Sequence, residues 1–225
     1  MRTLLILTMP LAFGATKADD CFALRGDRSP EAVASMSRAL EDPDIRSCAA
    51  ENLRVIEAVE PLSRALTSKN PETRAAAARV LGTFRRNELI GQLAAVAADE
   101  NLLAASNGFA ALANYDAPAV IPALDQLARK GGMIGDLALD RLLKLDSSSA
   151  LAAARDLLQH GTIADRLYAL RIIGERGDSS DLPALKKIAA ENTEKLESPS
   201  RGFGFMPAIN LSRAANTAIE SIRSR

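Results

Sequence analysis

Apolar residues recur three and four positions apart along most of the chain. Leu62, Ala65 and Leu66 make one such stripe. Ile90, Leu93, Val96 and Ala97 make a second, and Leu211, Ala215, Ala218, Ile219 and Ile222 a third. This spacing gathers the apolar side chains on one face of a helix. No convincing run alternates with period two, which argues against a β-rich fold. Turn-forming breaks separate the stripes at Gly131-Gly132, at Ser147-Ser148-Ser149 and between Glu175 and Ser180. The pattern predicts helix pairs over 43–55 with 57–67, 71–84 with 87–98, 100–113 with 117–130, 133–145 with 148–159, and 163–175 with 181–192. A helix opened by Ser29-Pro30-Glu31 and running to about Leu40 precedes them, and one over 208–223 follows.

The pairs are copies of one unit. Arg74-Ala-Ala-Ala-Ala-Arg79-Val-Leu-Gly82 matches Arg166-Leu-Tyr-Ala-Leu-Arg171-Ile-Ile-Gly174 in both arginines, the apolar pair and the glycine, at an offset of 92 residues, about three units. Pro61, Pro122 and Pro183 each open an apolar helix and lie 61 residues apart, about two units. Asp42-Pro43-Asp44-Ile45-Arg46 and Asn70-Pro71-Glu72-Thr73-Arg74 form a third related pair, 28 apart. A fixed period near 30 residues marks a solenoid or array. Asp42 and Asn70 are N-cap residue types with proline at the first helical position, a start worth ~1 kcal/mol each. Gly82 and Gly174 suit either a left-handed helix end or a close approach of two helices. The third and fourth units are the most eroded, with Asn107 and Gly108 where the arginine and alanines would fall. One such helix pair cannot bury its own stripe, so neighbours must stack.

The Asp/Asn-Pro-x-x-Arg start, the Arg-x-x-Ala-x-x-x-Ile/Leu-Gly first helix and the Pro-x-Leu second helix resemble the HEAT repeat family. The likeness is to the short bacterial HEAT-like repeats also found in phycobilisome lyases. It covers roughly residues 30–192 and, weakly, 207–223. It implies an all-α fold, a right-handed α-solenoid of about five to six stacked helix pairs. It also implies that the second helix of each pair lines the concave, partner-binding face. The polar positions there are Glu60, Ser63, Arg64, Gln92, Asp125, Gln126, Arg129, Arg155, Gln159, Lys186 and Lys187.

Composition fits this picture. Aromatics make up 4% and Trp is absent, so the core must come from Ala and Leu, which suits tight helix packing. Twenty-eight basic residues balance twenty-eight acidic ones. That balance argues against nucleic acid as the main partner, which calls for a basic excess or stripe.

The first 18 residues resemble a secretory signal peptide. A basic Arg2 precedes the ten-residue apolar run Leu4–Phe13, and Thr16-Lys17-Ala18 supplies small residues at −3 and −1 of a cut after Ala18. The run is too short to span a bilayer, which takes about 20 residues. The other reading is an apolar N-terminal helix on a cytosolic protein. Cys21 follows Asp19-Asp20, the wrong residues for a lipobox. Export makes a Cys21–Cys48 disulfide plausible, closing a loop of about 28 residues. Alternatively both thiols stay free, with Cys48 a small core residue.

No catalytic, metal-binding or cofactor-binding motif is visible. His160 is the only histidine, and Gly131-Gly132-Met133-Ile134-Gly135 lacks the Lys-Ser/Thr and the preceding strand of a phosphate loop. The segment 193–207 is long for a connection between repeats. Its Phe203 and Phe205, flanked by glycines, either seal the C-terminal end of the solenoid or anchor a partner. The expected function is therefore a non-enzymatic protein-interaction module of the cell envelope, with an unidentified protein as partner and no cofactor. The alternatives are an enzyme resembling the HEAT-like bilin lyases, or a self-associating envelope component. The oligomeric state is open.

Overall fold

A computed structural model describes residues 17–116, 118–190, 195–196 and 209–225. The helices are α1 (Lys17–Ala23), α2 (Pro30–Ala39), α3 (Arg46–Val55), α4 (Val59–Ala65), α5 (Pro71–Phe84), α6 (Ile90–Ala97), α7 (Leu102–Leu112), α8 (Ile121–Lys130), α9 (Gly132–Leu145), α10 (Ser147–His160), α11 (Ile163–Arg176), α12 (Leu182–Ala190) and α13 (Leu211–Arg223). Single 3₁₀ turns introduce α6 and α12. Two short antiparallel strands, β1 (Lys195–Leu196) and β2 (Ile209–Asn210), pair ahead of α13. The helices pack in two layers. Odd-numbered helices touch their odd neighbours from α1 to α13, and even-numbered helices form the second layer from α2 to α12. This is an all-α solenoid of five helix pairs, α3/α4 to α11/α12, flanked by α1 and α2 at one end and α13 at the other.

One continuous apolar core runs between the layers from Ala32 to Ile222. Leucines such as Leu62, Leu81, Leu93, Leu124, Leu139 and Leu170 are wholly buried, with alanines between them. Small residues set the spacing. A Cβ built on Gly82 would sit 2.5 Å from the Ala111 Cβ, and one on Gly108 would sit 2.4 Å from the Ala97 backbone nitrogen. The two glycines therefore let α7 press against α5 and α6. Gly108, read from sequence as erosion, is a requirement of that packing.

Caps fix the helix starts. The side chains of Ser29, Asn70, Asn101, Asp146, Thr162 and Asn210 each accept a hydrogen bond from a backbone N–H in the first turn. The two Asp/Asn-Pro starts differ in where the helix begins. Asp42 and Asn70 each accept the N–H two residues on, at 3.0 Å, but residues 43–45 form a turn, so α3 begins at Arg46 rather than at residue 43.

The arginine of that motif has a structural task. Arg46 donates through Nε to the Leu40 carbonyl (2.9 Å), beyond α2, and pairs with Glu72 of the next unit. Arg74 repeats this, donating to the Ser68 carbonyl (2.7 Å) and bidentately to Asp99 at 2.6 and 2.8 Å. Its side chain and that of Asp99 are only 17% and 15% exposed, so each bond is worth about 1.5–3 kcal/mol. Burial opposes charge on Asp99, yet Arg74 prevails and holds the carboxyl below its ordinary value.

At the N-terminal end the Cys21 and Cys48 sulfurs lie 2.18 Å apart with Cα atoms 6.3 Å apart, the geometry of a disulfide from α1 to α3. The buried Asn52 side chain donates to the Cys21 carbonyl (2.6 Å) beside it. Residues 1–16, most of the proposed leader, lie outside the described residues, and Lys17 and Ala18 belong to α1. Phe203 and Phe205 also lie outside them. Of the 193–207 segment only Lys195–Leu196 is described, and the closing helix starts at Leu211. Among the described residues no helix is long and apolar enough to cross a membrane.

Candidate functional site

Three grooves open on the even-helix side, each between consecutive even helices. The α4/α6 groove (≈ 480 Å³) is lined by Glu60, Ser63, Arg64, Gln92 and Asp99. Its charges cancel internally, since Glu60 pairs with Arg64 at 3.7 Å and Asp99 with Arg74. The α6/α8 groove (≈ 520 Å³) is lined mainly by small apolar residues, among them Gly91, Ala94, Ala95, Ala119 and Ala123, with Gln126 and Lys130 beside them. The Lys130 ammonium is engaged there, donating to the Ala98 carbonyl at 2.6 Å.

The α10/α12 groove is the largest (≈ 580 Å³). Leu158, Ala184 and Ile188 give it apolar walls, and Arg155, Gln159, Arg166, Asp181 and Lys187 give it polar ones. Asp181 is 9% exposed in its side chain and fully engaged. Its two oxygens accept from Arg155 Nε (2.7 Å) and Nη2 (2.9 Å), and Oδ2 also accepts the Asp178 N–H. The pairing with Asp181 raises the Arg155 pKa further above its ordinary value.

Between these grooves the α8/α10 step is bridged by charge. Arg129 pairs with Asp125 at 2.9 Å and reaches Asp156 at 3.8 Å, and Asp156 lies 3.3 Å from His160 Nδ1. The polar positions named from sequence thus separate into two sets. Glu60, Ser63, Arg64, Gln92, Gln126, Arg155, Gln159 and Lys187 line grooves. Asp125 and Arg129 face each other across one turn of α8, and exposed Lys186 on α12 is not among the lining residues.

A second constellation escaped the sequence reading. Between α9 and α11, Arg171 donates to Asp140 (2.6 Å) and Glu175 (2.9 Å), with its guanidinium 4.4 Å from the centre of the Tyr168 ring. Asp136 sits one turn before Asp140, with one carboxylate oxygen buried and no hydrogen-bond partner for it. Burial, then the nearby Asp165 and Asp140 charges, push its carboxyl up to about 6. Asp165 faces the same burial but stays below its ordinary value, because Thr162 and the Gly132 N–H donate to it. No groove described above includes Asp136, and among the described residues no three His, Cys, Asp or Glu side chains gather as metal ligands would. Nothing in the sequence flagged this site, since its members come together only when α9 meets α11.

Two layers of paired helices with an open row of grooves define a helical-repeat solenoid. Residues 59–132, from α4 to the start of α9, match the family of HEAT repeats, so this segment is HEAT repeat, as its motifs suggested. The match takes in about a third of the chain. No curated protein matches the sequence. Among solved structures, human deoxyhypusine hydroxylase in complex with glycerol is similar at 17% identity, covering 91% of this chain and 89% of its own, with a TM-score of 0.41. A designed armadillo repeat protein in complex with the peptide (KR)4 is similar at 14% identity, covering 92% of this chain and all of its own, with a TM-score of 0.39. Likeness at this level carries no argument about activity or ligand.

Proposed function

We propose that this protein is a non-enzymatic interaction module that holds a partner protein along its even-helix face. The observation that carries this reading is the row of three grooves, each between neighbouring even helices, on one side of a two-layer solenoid. A solenoid offers an extended surface rather than one enclosed pocket, and an extended surface suits a polypeptide. We place its work in the cell envelope. The apolar run Leu4–Phe13 with a cut after Ala18 supports export, and the Cys21–Cys48 geometry suits an oxidising compartment. The cut would remove Lys17, and with it the 2.9 Å pair to Asp42.

The test is a crosslinked pull-down from the native envelope fraction with tagged wild type beside Ala95→Trp. Ala95 is exposed and lines both the α4/α6 and α6/α8 grooves, so an indole there fills them without entering the core. A partner held by wild type and lost from a variant with unchanged melting supports the face. A partner held equally by both overturns it. Intact-mass measurement of the same material, expected to start at Asp19, tests the export step.

A further inference from the structure

We propose that the α10/α12 groove selects an acidic residue of an extended partner segment, and that the neighbouring alanine-lined groove takes an apolar residue of the same segment. This rests on the interaction reading above and adds the chemistry of the partner.

Part of the charge in the α10/α12 groove is already paired. Arg155, Arg166 and Lys187 line the α10/α12 groove with Asp181, and Asp178 lies 3.6 Å from Arg155. Asp181 gives both oxygens to Arg155, so it cannot also neutralise Lys187. Among the described residues Lys187 has no ion-pair partner, and Arg155 Nη1 donates to nothing. Lys187 is exposed on the same helix that supplies the apolar Ala184 and Ile188 walls. The site therefore offers an ammonium and an outward guanidinium edge beside an apolar surface. A carboxylate on a short aliphatic stem complements that combination, and a basic side chain meets repulsion.

The other two grooves sharpen the pattern. The α4/α6 groove is internally neutralised, and in the α6/α8 groove the one cation is bound to a backbone carbonyl. Polarity thus changes along the face, from balanced, to small and apolar, to a groove edged by the unpaired Lys187 ammonium. The α6/α8 and α10/α12 grooves are two helix spacings apart, about 16–20 Å at the usual 8–10 Å between packed helices. An extended chain covers that in about five or six residues at ~3.3 Å each. The recognised pattern is an apolar residue and an acidic residue separated by that distance along the partner.

The test is selection of random dodecapeptides displayed on phage against the full-length oxidised protein, wild type and Lys187→Glu, with Lys187→Ala as a milder variant. Each variant is first checked for unchanged melting, as an exposed, unpartnered side chain predicts. Wild type is expected to enrich Asp- or Glu-bearing peptides with an apolar residue five or six positions away. The best synthetic peptide should bind Lys187→Ala more weakly and Lys187→Glu about tenfold more weakly, a difference of ~1.4 kcal/mol. Its Glu→Lys counterpart should recover binding to Lys187→Glu. Neutral or basic consensus peptides, or acidic peptides that bind Lys187→Glu as well as wild type, overturn the inference. If such non-acidic peptides are lost from Ala95→Trp, the interaction reading stands while the acidic specificity falls. If no peptide is enriched, the groove is not a peptide site. An empty pull-down as well removes both.

Discussion

Replacing Gly108 by alanine tests the close packing on which the solenoid geometry depends. In an exposed mid-helix position such a change stabilises, because alanine is favoured over glycine by up to about 1 kcal/mol. Here the sign should reverse. The new Cβ would lie 2.4 Å from the Ala97 nitrogen, 2.8 Å from the Val96 carbonyl carbon and 2.9 Å from the Ala97 Cα. Ordinary contact needs about 3.5 Å, so α7 must move off α6 by about 1 Å. The obstacle is backbone, which cannot rotate aside as a side chain can. Overpacking of this kind costs about 1–3 kcal/mol, and a backbone clash belongs at the upper end. After the propensity gain the net loss is ~2 kcal/mol, and at 2–4 °C per kcal/mol the melting temperature should fall by roughly 4–8 °C. Gly91→Ala is the internal control. It lies on α6 with nothing within 4 Å of its built Cβ, so it should gain ~0.5 kcal/mol and melt slightly higher. Thermal unfolding followed by circular dichroism, with urea midpoints as a check, reads both. A Gly108→Ala protein as stable as Gly91→Ala would refute the claimed approach of α7 to α6.

Asp136→Asn should stabilise the protein near pH 7 and do little near pH 4. The raised carboxyl means that the folded state holds a proton the unfolded chain releases, so stability is greatest below pH ~4 and falls as pH rises towards about 6. Partial exposure limits the gain at neutral pH to ~1–2 kcal/mol, read from urea midpoints across that range, and an equal effect at both pH values would sink the assignment. Reduction with dithiothreitol, or Cys48→Ser, should destabilise the N-terminal end. The Cys21–Cys48 loop has a sequence separation of 27, for which loop closure predicts ~3–4 kcal/mol, and hydrogen exchange should rise in α1 to α3 first. Alkylation of both cysteines in unreduced protein would show instead that they are unpaired.

Local signals carried most of the fold. The caps at Ser29 and Asn70, the apolar stripes and the recurring prolines place every helix pair within a few residues, because those features act within one turn of chain. The exceptions have physical causes. Asp42 makes the same bond as Asn70, to the N–H two residues on, yet 43–45 stay a turn and α3 starts at Arg46, a difference that the motif does not encode. Gly108 looked like decay of the motif because its partner, the backbone of α6, is invisible to a pattern search. The candidate face was legible only as a set of polar positions on second helices. Which gaps stay open depends on pairs such as Arg129 with Asp156, which bridge the α8/α10 step through contacts that the repeat spacing does not encode. The Asp136 cluster joins residues from two helices and left no mark in either.

The two halves of the solenoid are joined by different means, and this bears on where a ligand can enter. Around α7 the joints use small residues, Gly82 on Ala111 and Gly108 on Ala97, which bring backbones together. From α9 to α12 the joints are polar: Asp165 to the Gly132 N–H, Arg171 to Asp140, and Arg155 to Asp181. α10 and α12, like α4 and α6, barely touch, and the groove between α10 and α12 is the largest of the three. The same polar joint leaves Asp136 half buried without a donor for one of its oxygens. Close packing specifies one geometry and presents small apolar side chains at the α6/α8 groove. A joint built from arginines and carboxylates fixes the geometry while keeping unspent donors at its edge, and Lys187 and Arg155 Nη1 are those donors. The C-terminal half therefore differs from the N-terminal half in its unspent donors rather than in open space.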